Sequence, residues 1–235
     1  MTYTIIARCE ETKRLGIGIA TYSLAVGGYC PFSSRGVAAL STQAFANPAL
    51  GPLALTSLDA SRSPGQVMFD LAAADPGFEY RQVAILALNG AVAVHTGSKC
   101  RRWAGHETGN SFAAFGNVLA GPSIVTAIAQ AFQDSAGEGL PERLLGALEA
   151  GRNAGGQAGA DGAHLAERSA ALMVKGEDIN RDIDLRVDLH DDAVTELRRV
   201  YAGYAPYVDY YALRASDPAN TPAQDVWTRE NLFQK

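Results

Sequence analysis

Thr2 is the residue whose position alone supplies a chemistry. A threonine hydroxyl is a weak nucleophile unless a base sits beside it. A chain that begins with threonine carries that base itself, because its free α-amine lies two bonds from the hydroxyl-bearing carbon. The unperturbed amine titrates at about 7.7 to 8.0, close to working pH. Met1 precedes Thr2, and methionine is trimmed before small residues, so a mature chain starting at Thr2 is expected. The competing reading is that Met-Thr is a chance beginning.

Tyr3–Cys9, YTIIARC, reads as a strand, and LGIGIATYS at Leu15–Ser23 as a second, joined by the charged turn Glu10–Arg14. Antiparallel pairing sets the end of the second strand beside the start of the first. Thr21, Tyr22 and Ser23 are therefore expected next to Thr2, with Thr21 and Ser23 contacting substrate. A third strand, GVAALSTQ, runs into STQAFANP at Ser41–Pro48, which is uncharged but too polar for a core strand. Its Thr42, Gln43 and Asn47 suit orienting an amine or donating to an oxyanion, with Gln43 assigned to catalysis and the other two to substrate binding. An edge strand entering a capped turn fits the same residues.

Other residues offer less. Cys9, Cys30 and Cys100 form no CxxC pair, and the four histidines show no HxxxH or HxH spacing, so no metal site and no cofactor are expected. Three free thiols suit a reducing cytosol. Gly16–Ala20 lies inside a strand and opens no helix, and Gly151–Gly162 lacks a GK[ST] ending; neither reads as a nucleotide site. CRRW at Cys100–Trp103 reads as a solvated loop, with anion binding by Arg101 and Arg102 the alternative.

The elements that must hold Thr2 follow from pattern. GGYCPFSSRG at Gly27–Gly36 reads as a loop. Helical spacing covers Pro52–Ala74, interrupted where Ser63 caps and Pro64 starts a new helix. Gln82–Leu88 and Ala91–Thr96 flank Asn89-Gly90, a hairpin signal. A strand at Ser111–Phe115, helices at Pro122–Ser135 and Pro141–Gly151, strands at Arg168–Lys175 and Ile183–Asp188, and a closing helix at Asp191–Tyr201 complete the pattern. The remainder, with Tyr204, Tyr207, Tyr210 and Tyr211, reads as irregular. Hairpins dominate, so the class is α+β with largely antiparallel sheets, stacked as a four-layer αββα sandwich. One domain is expected over 1–203, with 204–235 a tyrosine-rich extension packed on it or at a dimer contact.

Composition agrees. Of 235 residues, 47% are hydrophobic and 19% charged, enough apolar content for a real core. The net charge is -5 and no basic run exists, so neither nucleic acid nor an anionic membrane is an expected partner. The N-terminus lacks the basic and apolar regions of a signal peptide, and no apolar run spans a bilayer, so a cytoplasmic protein is expected.

TYTIIARCEETKRLGIGIATYSLAVGG, ALSTQAFANPALGP, EYRQVAIL, AVHTG, CRRWAGHETG and FGNVLAGP, in that order, resemble the DUF1028 family from Thr2 to about Leu197. The resemblance implies an N-terminal-nucleophile (Ntn) hydrolase fold akin to proteasome β-subunits, and little about substrate. It places Thr2 at the nucleophile position. Asn117, in FGNVLAGP at a strand-to-helix junction, becomes a catalytic candidate, and His95, in AVHTG, a pocket-lining candidate or a structural histidine. Proteasome-like enzymes set a lysine near the threonine; here 25–35 offers only Arg35. The family's Gly-Gly-Asp and Arg-Gly-Arg-Gln-Ser motifs stand altered, as Gly155-Gly156-Gln157 and Ala166-Glu167-Arg168-Ser169.

The function expected is hydrolysis of a small amide, with a second copy of the chain as partner in a homodimer. The alternatives are a small-molecule binder that kept the fold and lost catalysis, and a hydrolase whose nucleophile is Cys30 or Ser41.

Overall fold

Alternation along the strands decides which side chains face which neighbours in the computed structural model, described over Met1–Phe233. The first sheet holds β1 (Thr2–Arg8), β2 (Leu15–Thr21), β7 (Ala104–Gly109), β8 (Phe112–Asn117), β11 (Ser169–Lys175) and β12 (Ile183–Val187), in the order β12-β11-β2-β1-β8-β7. The second holds β3 (Pro31–Ser34), β4 (Ala38–Ala44), β5 (Arg81–Ala87) and β6 (Val92–Thr96), in chain order. Every pairing in both sheets is antiparallel. β1 lies centrally, hydrogen-bonded to β2 on one side and β8 on the other.

Odd-numbered Tyr3, Ile5 and Ala7 of β1 pack in one apolar cluster with α3 (Ser123–Asp134), α4 (Leu140–Asn153) and α5 (Ala193–Tyr204). Ile6 points the other way, into a cluster with Ile17, Phe115 and Met173 of the first sheet and Ala39, Ala84 and Leu86 of the second. Ala38, Leu40, Val83 and Ile85, on the second sheet's remaining face, pack with α1 (Leu50–Asp59) and α2 (Pro64–Ala74). The period of two thus gives each sheet one helix-covered face and one face toward the other sheet. The glycines of LGIGIA let α4 sit close: a Cβ on Gly16 would lie 2.5 Å from Leu144 Cδ1, and one on Gly18 3.3 Å from the Leu144 carbonyl oxygen.

Several expectations need correction. Pro31–Ser34, read as loop, is an edge strand, and its proline takes the first position, where a missing N–H costs least. β7 escapes a reading by pattern because AGHETG is an edge strand with no buried residue and no apolar alternation. The glycine-rich stretch contains the two-residue strands β9 (Gln157–Ala158) and β10 (His164–Leu165), paired with each other. The stretch read as irregular forms α6 (Val208–Ser216) and α7 (Gln224–Asn231). Tyr210 there is buried, its ring 4.8 Å from that of Trp227, and Arg181 pairs with Asp209 to tie α6 to the turn before β12. α5 runs through to Tyr204, across the 203/204 boundary. Among the described residues no helix is long and apolar enough to cross a membrane.

Candidate active site

The face between the sheets changes character along its length. Its middle is apolar, but at the end where β1 begins it carries Thr2, Thr4, Thr21, Ser41, Gln43, Gln82, Asn117 and Ser169, all buried. Thr2 stands directly opposite Thr21 on β2 and Asn117 on β8. The Thr2 and Thr21 hydroxyl oxygens are 3.2 Å apart. Thr21 donates to the Met1 carbonyl, so the proton of the Thr2–Thr21 contact comes from Thr2. The Ser23 backbone N–H also donates to the Thr21 oxygen, at 3.2 Å.

The N-terminal amine of Met1 donates to Asn117 Oδ1 at 2.7 Å. Burial, and after it the positive charge of Arg101, push this amine down from 8.0 to about 6. Arg101 makes no ion pair among the described residues and lies 5.7 Å from the centre of the Phe45 ring. Arg101 belongs to CRRW, read from sequence as a solvated loop.

The orientation of Asn117 is dictated from behind. Gln82 Nε2 faces the backbone carbonyls of Gly116 at 2.9 Å and Gly105 at 3.1 Å, which can only accept. Gln82 Oε1 must therefore be the acceptor, and it receives Asn117 Nδ2 at 3.1 Å and Gln43 Nε2 at 2.9 Å. That leaves Asn117 Oδ1 for the amine. Gln43 Oε1 takes the hydroxyls of Thr4 at 2.6 Å and Ser41 at 3.3 Å. Gln43 therefore sits one layer beneath Thr2, its N–H directed to Gln82; the expected oxyanion role does not fit this geometry. Gln82, absent from the residues singled out by sequence, is the hub. Its signal was a glutamine at a core-facing position of RQVAILA.

Past Asn117 the chain leaves β8 with an unusual backbone: Val118 has φ 56°, a left-handed conformation costly for a β-branched residue. It is held by its N–H to the Arg101 carbonyl at 3.2 Å and its own carbonyl from Ala158 N–H at 3.1 Å. The altered family motifs meet at the turn beside Thr2. Gln157 Oε1 accepts from Tyr22 N–H at 2.9 Å, and Ser169 Oγ donates to the Ser23 carbonyl at 2.8 Å.

Three expected substrate-binding residues are not brought to Thr2. Thr42 shares the helix-packed face of Ala38 and Leu40, opposite to Gln43, and its hydroxyl is buried without a partner. The register of β4 decides this, since one step along a strand reverses the face. Asn47 donates to Asp75 at 3.0 Å and accepts from Ala49 N–H at 3.2 Å, closing the turn into α1. His95 lies opposite Val83 and stacks on Phe78, with ring centroids 4.3 Å apart, on the α2 side of its sheet. Neither alternative nucleophile hydrogen-bonds a base among the described residues. The Cys30 thiol packs with Ile19, Val26 and Ala171, and burial pushes it up to about 12; the Ser41 hydroxyl reaches only the Gln43 amide.

Residues 2–197 match the family model described as "Family of unknown function (DUF1028)". The chain belongs to DUF1028. A crystal structure of a protein from Silicibacter pomeroyi, carrying the same DUF1028 assignment, is similar at a TM-score of 0.81 and 30% identity, over 90% of this chain and 93% of that one. Anbu, an ancestral beta-subunit from Yersinia bercovieri, aligns over 94% of this chain and 98% of its own at 11% identity, with a TM-score of 0.38. No curated protein matches the chain.

Proposed function

We propose that this DUF1028 chain is a hydrolase of small amides whose nucleophile is Thr2, exposed by removal of Met1, within a four-layer αββα sandwich of the Ntn type. The observation that carries the reading is the buried amine of Met1, the residue before Thr2, held by Asn117 at 2.7 Å and pushed down to about 6. A base of that strength is unprotonated at neutral pH without being too weak to accept a proton. The reading extends this depression to the Thr2 amine, which trimming would expose one residue further along the same strand end. Loss of the Met1 carbonyl also frees the Thr21 hydroxyl to hydrogen-bond the new terminus.

In this reading the amine takes the Thr2 Oγ1 proton as the oxygen attacks the substrate carbonyl. The tetrahedral adduct collapses, the C–N bond breaks, and the proton passes to the leaving nitrogen. Water then cleaves the threonyl ester by the reverse roles. Asn117, whose Oδ1 holds the Met1 amine before trimming, is assigned the orientation of the Thr2 amine after it, as a positioning residue and not an oxyanion donor.

A second reading, a binder without catalysis, draws on the same end of the strand: with Met1 retained the Thr2 nitrogen is acylated, and among the described residues the Thr2 hydroxyl bonds only Thr21. Intact mass and an N-terminal-threonine-directed electrophile such as a β-lactone separate the two. Loss of Met1 with a single adduct on Thr2 supports the hydrolase; a dominant Met1-bearing species that takes no adduct refutes it.

A further inference from the structure

The face between the sheets is polar at the Thr2 end and apolar in its middle, and its far end is cationic. The alternation that turns Thr2, Thr4 and Ile6 inward turns Arg8 inward too. On β11 the same rule turns Lys175 inward after Met173. These positions continue an apolar core face, where charge is costly unless something offsets it. A cavity of about 980 Å³ opens there, lined by both residues and by Lys13, Arg35 and Arg62, against only Asp59 and Glu177 of opposite sign. Ser63 and Pro64, the positive end of the 11-residue helix α2, also line it.

Two of these cations are incompletely satisfied. The Arg8 side chain is only 9% exposed, and although one terminal nitrogen pairs with Glu10 at 2.7 Å, its buried Nε has no partner. Lys175 Nζ donates to the Ser33 carbonyl at 3.0 Å and makes no ion pair among the described residues. Arg35 and Arg62 are paired, with Asp182 and Asp70. A lysine without a counter-charge among the described residues, beside an almost buried guanidinium and within a lining where cations outnumber carboxylates, leaves the cavity with positive charge for an anion to offset.

We propose that this cavity is a second binding site, for a compact polyanionic small molecule bearing phosphate or carboxylate groups, at the opposite mouth of the sheets from Thr2. Six residue steps along β1 separate Thr2 from Arg8, about 20 Å at strand rise, so its ligand is an effector or a second substrate portion and not the amide attacked at Thr2. The volume lies at the upper end of ordinary small-molecule pockets.

Calorimetric titration of the full chain with pyrophosphate and with citrate, against chloride at matched ionic strength, tests this. Saturable one-to-one binding by at least one of them is expected, and the stronger arm identifies the anion class. Lys175→Met should weaken binding roughly tenfold or more, and Lys175→Arg should restore most of it. Arg62→Ala, a surface change, provides an independent variant should Lys175→Met fail to fold, and at least a threefold loss is expected. Thr2→Ala should bind like the parent, so failure at Thr2 and failure here are distinguishable. No saturable binding, or binding indifferent to both Lys175→Met and Arg62→Ala, would overturn the proposal.

Discussion

Asn117 Oδ1 accepts the N-terminal amine at 2.7 Å, while its own Nδ2 is anchored on Gln82 at 3.1 Å. A neutral amide oxygen holds the amine in place without stabilising its charge as a carboxylate would. Burial and Arg101 then keep that amine low, at about 6. The sign follows for the Met1-bearing chain. A base depressed from 8.0 to about 6 on folding is disfavoured in its charged form. Its contribution to stability is therefore full above about pH 8 and is lost as pH falls through 6. Arg101→Gln removes a repelling charge and should raise the midpoint, seen by NMR titration of the isotope-labelled terminus. A midpoint that stays put would show that Arg101 is not felt there.

Thr2→Ala removes a hydroxyl and a methyl group from the chain end, so the fold should survive with only a small loss in melting temperature. Once a substrate is found, turnover should disappear with Thr2→Ala and persist at reduced rate with Thr2→Ser, which keeps hydroxyl and amine. Normal turnover by Thr2→Ala would move the chemistry elsewhere.

A second pH effect lies away from the site. Arg81 hydrogen-bonds the Asp75 carboxylate at 3.0 Å, with Asn47 and the Gly77 N–H assisting, and together they hold it down to about 2. A carboxyl depressed from 3.8 stabilises the fold fully above about pH 4 and ceases to as pH falls through 2. Asp75→Asn should therefore melt lower than the parent at neutral pH, with the difference narrowing between pH 4 and 2. A gap independent of pH would assign the effect to packing at the turn.

The hairpin of β1 and β2 was legible because a period-two apolar pattern and a charged turn leave few registers, and that register alone put Thr21 beside Thr2. The helix break at Ser63-Pro64 was legible because a cap and a proline act locally, and the reciprocal Ser63–Gln66 contacts complete it. What failed was long-range. Thr42 and Gln43 are adjacent in sequence and point to opposite faces, so only the pairing of β4 with β5 says which one faces the first sheet. The Arg101 charge is felt at the amine from a loop whose path the sequence does not encode. Gln82 declared itself as a polar residue on a core face, but its three acceptors and two donors come from distant strands. The aromatic tail hid its helices because its apolar face is made of tyrosines that pack mainly on one another and on Trp227.

Gln82 gives the sharpest test of the network behind Asn117. Gln82→Leu preserves most of the volume but strips the acceptor from Asn117 Nδ2 and Gln43 Nε2 and the donor from the Gly116 carbonyl, all buried. Each orphaned group costs on the order of 1–3 kcal/mol, so a loss of about 3 kcal/mol or more is expected in denaturant unfolding. Gln82→Glu discriminates between a packing role and a hydrogen-bonding one. Its protonated acid can still donate to Gly116 and accept from Asn117, whereas its carboxylate must face that carbonyl buried and charged. The folded pKa of the new acid is thereby raised above an unfolded value of about 4.3. Its stability is then fullest below about pH 4.3 and lost as pH rises through the raised pKa. Gln82→Glu should accordingly approach the parent's stability near pH 4 and fall away toward pH 7, while Gln82→Leu stays low throughout. Flat, parental stability for Gln82→Glu across that range would mean that Gln82 only fills space and that Asn117 is oriented by something else.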